Sequence, residues 1–105
     1  MSAISEYKYS IGFPPIDGIH LEDCDFEVKT YVYANKFVTF KKGDETHIKK
    51  IDADHYKVIV DKENSLKIGR GKVLAELTVH IPDGDFQDGY RTEVVRDMYT
   101  GWTVL

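Results

Sequence analysis

Apolar and polar residues alternate with a period of two along much of the chain, the pattern of extended strands that turn one face inward and the other to water. Across 26–33, Phe26, Val28, Thr30 and Val32 share one face, while Glu27, Lys29, Tyr31 and Tyr33 share the other. The pattern returns at 55–61, where Tyr56, Val58 and Val60 alternate with His55, Lys57, Ile59 and Asp61. It runs longest from Lys72 to Ile81, with Val73, Ala75, Leu77, Val79 and Ile81 set against Leu74, Glu76, Thr78 and His80. Leu74, Leu77 and Ile81 also fit a helical spacing. The β-branched Thr78, Val79 and Ile81, with Gly71 just before and Pro82 just after, predict a strand instead.

Shorter strands are expected at 37–42 around Phe37, Val38 and Phe40, at 47–51 around Ile48 and Ile51, at 90–97 and at 101–105, with a further edge strand at 4–11. Gly43-Asp44, Asp52-Ala53-Asp54, Pro82-Asp83-Gly84-Asp85 and Asp88-Gly89 supply the turns. One helical turn is expected at 62–67, capped by Asp61 and ended by Gly69, as a passage from one sheet to another. Short strands at this spacing predict an all-β fold, an immunoglobulin-like antiparallel β-sandwich of about seven or eight strands. Phe13-Pro14-Pro15-Ile16-Asp17-Gly18 cannot lie inside a central strand, because successive prolines donate no ladder hydrogen bonds. The chain thus divides into an N-terminal arm, 1–23, packed on the domain with room for one edge strand, and a β-sandwich domain, 24–105.

A length of 105 residues suits one domain, and 42% hydrophobic content suits a core that stands without disulfides or metal. The single cysteine, Cys24, has no partner for an internal bridge, which fits a reducing compartment. A net charge of −4 with no basic stripe argues against nucleic acid. The first residues lack a secretory signal and no apolar run nears the length of a membrane span, so synthesis in the cytoplasm without a signal peptide and no membrane partner are expected. Later incorporation into a virion or tail-like particle stays compatible with that.

Candidate chemistry is sparse. His20, His47, His55 and His80 have no metal-ligand spacing. The run Glu22-Asp23-Cys24-Asp25 reads as a solvated loop. Asp83-Gly84-Asp85-Phe86-Gln87-Asp88-Gly89 superficially resembles a calcium loop, but its third carboxylate comes one position late and Val94 stands where a bidentate Glu should close the ring. It reads as a turn whose Asp side chains accept backbone N–H groups, with Phe86 tucked into the core. Gly69-Arg70-Gly71 is too short for a phosphate cradle and leads into a strand. No nucleophile motif or acid pair emerges, so no catalytic residue, metal or cofactor is expected.

The aromatic residues are more informative: seven Tyr, five Phe and one Trp. Tyr31 and Tyr33 fall on the outward face of a strand, and Tyr7 and Tyr9 have the same two-residue relation. These four tyrosines are the candidate interaction surface, for a protein partner or for sugar rings; the alternative is that they pack under the arm or face the other sheet. Trp102 and Val104 are expected to close the core.

Between Asp25 and Val104, three motifs occur in order: Asp25-Phe26 opening a strand, Leu66-Lys67-Ile68-Gly69-Arg70-Gly71 before the next long strand, and Ile81-Pro82-Asp83-Gly84-Asp85-Phe86-Gln87-Asp88-Gly89-Tyr90-Arg91-Thr92-Glu93-Val94. This order resembles immunoglobulin-like modules of bacteriophage and prophage tail regions, related to the N-terminal domain of baseplate upper proteins. The resemblance implies a β-sandwich that docks to other proteins in a tail assembly, with no catalytic residues to carry over. Baseplate upper proteins continue past this domain, whereas the sequence ends at Leu105, which gives the expectation of a free-standing adaptor or accessory piece. The expected function is therefore that of a non-enzymatic structural or interaction module. A carbohydrate-binding sandwich using surface tyrosines is the alternative.

Overall fold

Two antiparallel sheets face each other in the computed structural model, which describes residues 6–105. The expected edge strand at 4–11 begins in residues outside the described ones. Strand β1 (Tyr7–Gly12) is followed by a 3-10 turn at Leu21–Asp23 and strands β2 (Asp25–Tyr33), β3 (Lys36–Lys41), β4 (Ile48–Asp52) and β5 (His55–Val60). Helix α1 (Lys62–Ile68) then leads into the long strands β6 (Gly71–Pro82) and β7 (Tyr90–Val104). The smaller sheet has the order β1-β5-β4 and the larger β3-β2-β6-β7.

The period-two pattern sets which side chains meet between the sheets. Phe26, Val28 and Thr30 from β2, and Val73, Ala75, Leu77, Val79 and Ile81 from β6, point inward and are buried; Tyr56, Val58 and Val60 of β5 oppose them. Phe26 meets Tyr56 edge to face with ring centroids 4.8 Å apart, linking the two layers.

β1 is part of this sandwich. It pairs in register with β5 from Tyr7 opposite Val60 to Gly12 opposite His55, so Tyr7, Tyr9 and Ile11 enter the core. The Tyr9 hydroxyl shares a 2.6 Å hydrogen bond with Thr30 Oγ1 across the two sheets, which satisfies both buried polar groups. Burial pushes the Tyr9 phenol far above its ordinary pKa, so it stays neutral. The Tyr7 hydroxyl lies near the buried Ser65 of α1 but outside hydrogen-bonding geometry. Trp102 closes this side by donating its Nε1–H to the Lys8 carbonyl at 2.7 Å while its ring lies 5.9 Å from that of Tyr7.

Helix α1 makes the crossing between sheets. Asp61 accepts from the Asn64 N–H at its start, Gly69 ends it at φ +88°, and Ser65 and Ile68 are buried. Two expectations need correction. The strands expected at 90–97 and 101–105 are one strand, because Asp97 (φ +55°) and Gly101 (φ +91°) take up the irregularity while pairing with β6 continues past it. Phe86 is exposed and does not enter the core: its turn is closed locally by Asp83, whose side chain accepts from the Asp85 N–H and whose own N–H donates to the Gly89 carbonyl. Among the described residues, no helix is long and apolar enough to cross a membrane.

Candidate interaction surface

The four tyrosines named from the sequence do not form one exposed patch. Tyr7 and Tyr9 are core residues, because β1 turns their face toward β2 and β6. Tyr33 is 57% exposed, but it lies past a bulge in β2 and its ring rests beside Gly69, where an added Cβ would meet it at 3.7 Å. Tyr31 points outward as expected, yet is only 8% exposed.

What covers Tyr31 also defines the surface. Register places Tyr31 opposite Phe37 on β3 and opposite Leu74 on β6, and Leu74 opposite Tyr99 on β7. Phe37, Tyr31, Leu74 and Tyr99 therefore form one row across all four strands on the outer face of the larger sheet. At the usual strand spacing the row is about 14 Å long. Its end rings are open, Phe37 48% and Tyr99 53% exposed, while Tyr31 and Leu74 form its floor.

The bulge at Asp97 fixes this arrangement. The Tyr31 hydroxyl donates to Asp97 Oδ1 at 2.5 Å and accepts from the Asp97 N–H at 3.1 Å, so one phenol both anchors the carboxylate and caps the irregular backbone. Burial, and then the adjacent carboxylate, raise the Tyr31 pKa and keep the phenol protonated. The bulge adds one residue to β7, bringing Tyr99 onto the outer face beside Leu74. Replacing Asp97 with alanine should cost about 1–3 kcal/mol, since it strips the hydroxyl of its acceptor and leaves a Cβ residue at positive φ. Asp97→Asn, which keeps an acceptor and tolerates that conformation, should cost less; urea unfolding of the two variants checks the order.

Charges around the row are already engaged. Lys29 Nζ and Arg96 Nε each lie 3.3 Å from a different Glu76 oxygen. Lys29 Nζ also sits 4.4 Å from the Phe37 ring centroid, and Lys72 Nζ sits 4.5 Å from that of Tyr99. The result is an apolar row with a polar rim and a lysine over each end ring. A sugar stacking on the same ring faces would have to displace those amines.

The remaining polar clusters brace loops. Each of three histidines meets an aspartate: His20 Nδ1 with Asp54 (3.0 Å), His55 Nδ1 with Asp52 (2.8 Å), and His47 with two, Asp44 at Nδ1 (2.8 Å) and Asp61 at Nε2 (3.1 Å). His47 also stacks on Phe40 with centroids 4.8 Å apart. Among the described residues, no group of three or more His, Cys, Asp or Glu is arranged to hold a metal ion.

His47 sets both ring nitrogens on carboxylates, an arrangement that favours the doubly protonated ring. Burial opposes that charge, but the Asp61 and Asp44 carboxylates outweigh it and raise the His47 pKa. The same contacts lower the pKa of Asp44 and Asp61. A raised histidine stabilises the fold fully below its unfolded pKa, with the gain lost as pH rises through the folded value; the lowered carboxylates lose theirs as pH falls through their folded values. Thermal stability should thus be greatest in weakly acidic solution and decline toward pH ~8, where an ordinary histidine has already lost its proton. His47→Gln should flatten that alkaline decline in a melting series.

Phe37, Leu74 and Tyr99 were not singled out from the sequence. Phe37 and Tyr99 each owe their face to a bulge: a regular two-residue turn at Ala34-Asn35 would set Phe37 opposite Val32, and only the irregularity in β2 brings it opposite Tyr31, while the face of Tyr99 depends on the bulge at Asp97. Comparison of the chain with known protein families, curated proteins and solved structures finds no match.

Proposed function

We propose that this chain is a non-enzymatic docking module that binds a protein partner through the outer face of the larger sheet, as a phage-derived tail or baseplate-associated component. The observation that carries the reading is the row Phe37, Tyr31, Leu74 and Tyr99, held in register across four strands with exposed aromatic ends and a charged rim in which Lys29 and Arg96 share Glu76. Interfaces draw most of their energy from a few aromatic and arginine anchors ringed by polar groups, and this face supplies both.

Strand order supports the immunoglobulin-like part of the proposal. The sequence β3-β2-β6-β7 has the neighbour relations of strands C′, C, F and G in a variable-type domain, and β1-β5-β4 those of B, E and D, with α1 at the E-to-F crossing. The motif likeness to tail-region modules supplies the setting.

The test is the presence of the chain in purified tail particles made from the genome that encodes it, measured by mass spectrometry before and after a high-salt wash. Retention supports the proposal; absence from assembled particles overturns it. Carbohydrate binding, the second reading, has Tyr33, Phe37 and Tyr99 as exposed rings. Retention that soluble oligosaccharides compete away would favour that reading instead.

A further inference from the structure

Strand β7 is an edge strand over its whole length, and among the described residues it has no strand partner beyond β6. Natural edges are guarded by bulges, charges or covering loops, because bare N–H and C=O groups invite another strand. Bulges guard the half of β7 around Asp97 and Gly101, but the half from Tyr90 to Val95 pairs regularly with β6.

Asp83 N–H donates to the Gly89 carbonyl at 2.9 Å, and Pro82, which has no N–H, stands opposite Tyr90. An antiparallel ladder alternates hydrogen-bonded and non-hydrogen-bonded pairs, so the N–H and C=O of Tyr90, Thr92 and Val94 turn away from β6 into the open edge. The side chains alternate as well. Tyr90 and Val94 are exposed, whereas Arg91 and Glu93, opposite the buried Ile81 and Val79, belong to the inner face. Arg91 Nε is buried yet lacks a hydrogen bond, with the Glu93 carboxylate of its own strand 3.9 Å away, too far to supply one.

This segment is self-complementary. If two copies meet antiparallel about Thr92, Thr92 lies opposite Thr92, Tyr90 opposite Val94 and Arg91 opposite Glu93. Tyr90, Thr92 and Val94 then form the hydrogen-bonded pairs, matching the groups that already face outward. Arg91 and Glu93 form the two non-hydrogen-bonded pairs, where Cα atoms come within about 4.5 Å and side chains approach most closely. The Arg91 guanidinium faces a carboxylate across the pair, and Tyr90 packs on Val94 at two symmetry-related places. A two-fold, isologous contact closes after two copies and does not run on into a fibre.

We infer that the chain forms a homodimer by antiparallel pairing of the Tyr90–Val94 edges of β7, joining two four-stranded sheets into one of eight strands, with crossed Arg91–Glu93 pairs selecting the register. This goes beyond the proposed docking role, since the edge is distinct from the outer-face row.

Sedimentation analysis of the full chain tests it. Wild type is expected to sediment as a dimer at high micromolar concentration. Arg91→Glu places two acidic residues opposite each other in both crossed pairs, and Glu93→Arg two basic ones, so each variant alone should be monomeric. Mixing the two variants restores opposite charges at every crossed position and should recover a dimer from two monomers. Thr92→Pro, which removes an outward N–H at the centre, should be monomeric with circular dichroism like wild type. A monomeric wild type would mean that Arg91 and Glu93 guard the edge, and overturns the inference. Reversal variants that still dimerise, or that fail to associate when mixed, overturn it too.

Discussion

Cutting Phe26 back to alanine is expected to cost about 3–5 kcal/mol, the range for removing a large buried aromatic side chain. Phe26 is 1% exposed and is the largest of the fully buried side chains. Its ring edge meets Tyr56 of the other sheet, and Lys42, whose Nζ binds the Glu22 and Cys24 carbonyls at 2.6 Å each, extends over it at 6.0 Å. The substitution would thus open a cavity where the layers meet and loosen the brace on the 3-10 turn. A domain of this size has a total stability of roughly 5–15 kcal/mol, so the variant should be marginally folded. Urea titration would show a large fall in midpoint with little change in slope. Phe37→Ala, eleven residues along but on an open ring, should fall within about 1 kcal/mol of wild type.

The second large effect is on binding and separates surface from core. Removing Phe37 and Tyr99 together should weaken partner binding by about 2 kcal/mol or more per ring, roughly 30-fold each, if they act as interface anchors. The fold should survive, because both rings are about half exposed and the inner faces of β3 and β7 are untouched. Tyr31 is the wrong residue for this experiment. Its hydroxyl supports Asp97 and the bulge, so its loss would mix a stability defect with any binding defect.

How much of this could be read from residues alone depends on what each feature rests on. Alternation is local, and it placed Phe26, Val28, Thr30, Val58, Leu77 and Val79 on their faces, as burial in two antiparallel layers demands. The passage through α1 was legible because Asp61 and Gly69 carry their capping chemistry in their own side chains or lack of one. The fate of the tyrosines was not legible. Whether Tyr9 faces water or Thr30 depends on β1 joining β5, a contact between residues some 50 positions apart that no local pattern encodes. Period-two spacing set Tyr31 on the outer face but could not say that Phe37, Leu74 and Asp97 would close over it. The join of 90–97 with 101–105 failed for a related reason: a bulge at a non-glycine residue, Asp97, leaves no mark in composition and is stabilised only once Tyr31 arrives from β2.

Docking through the outer face of the larger sheet, as proposed, stands or falls on one comparison. Wild type and the Phe37→Ala/Tyr99→Ala double variant would be supplied separately to assembling tail particles, with urea midpoints measured on the same preparations. Wild type is expected to be retained on the particles and the double variant to be lost, while the two midpoints differ by little. Equal retention of both proteins would contradict that expectation and would move the contact away from the outer face of the larger sheet.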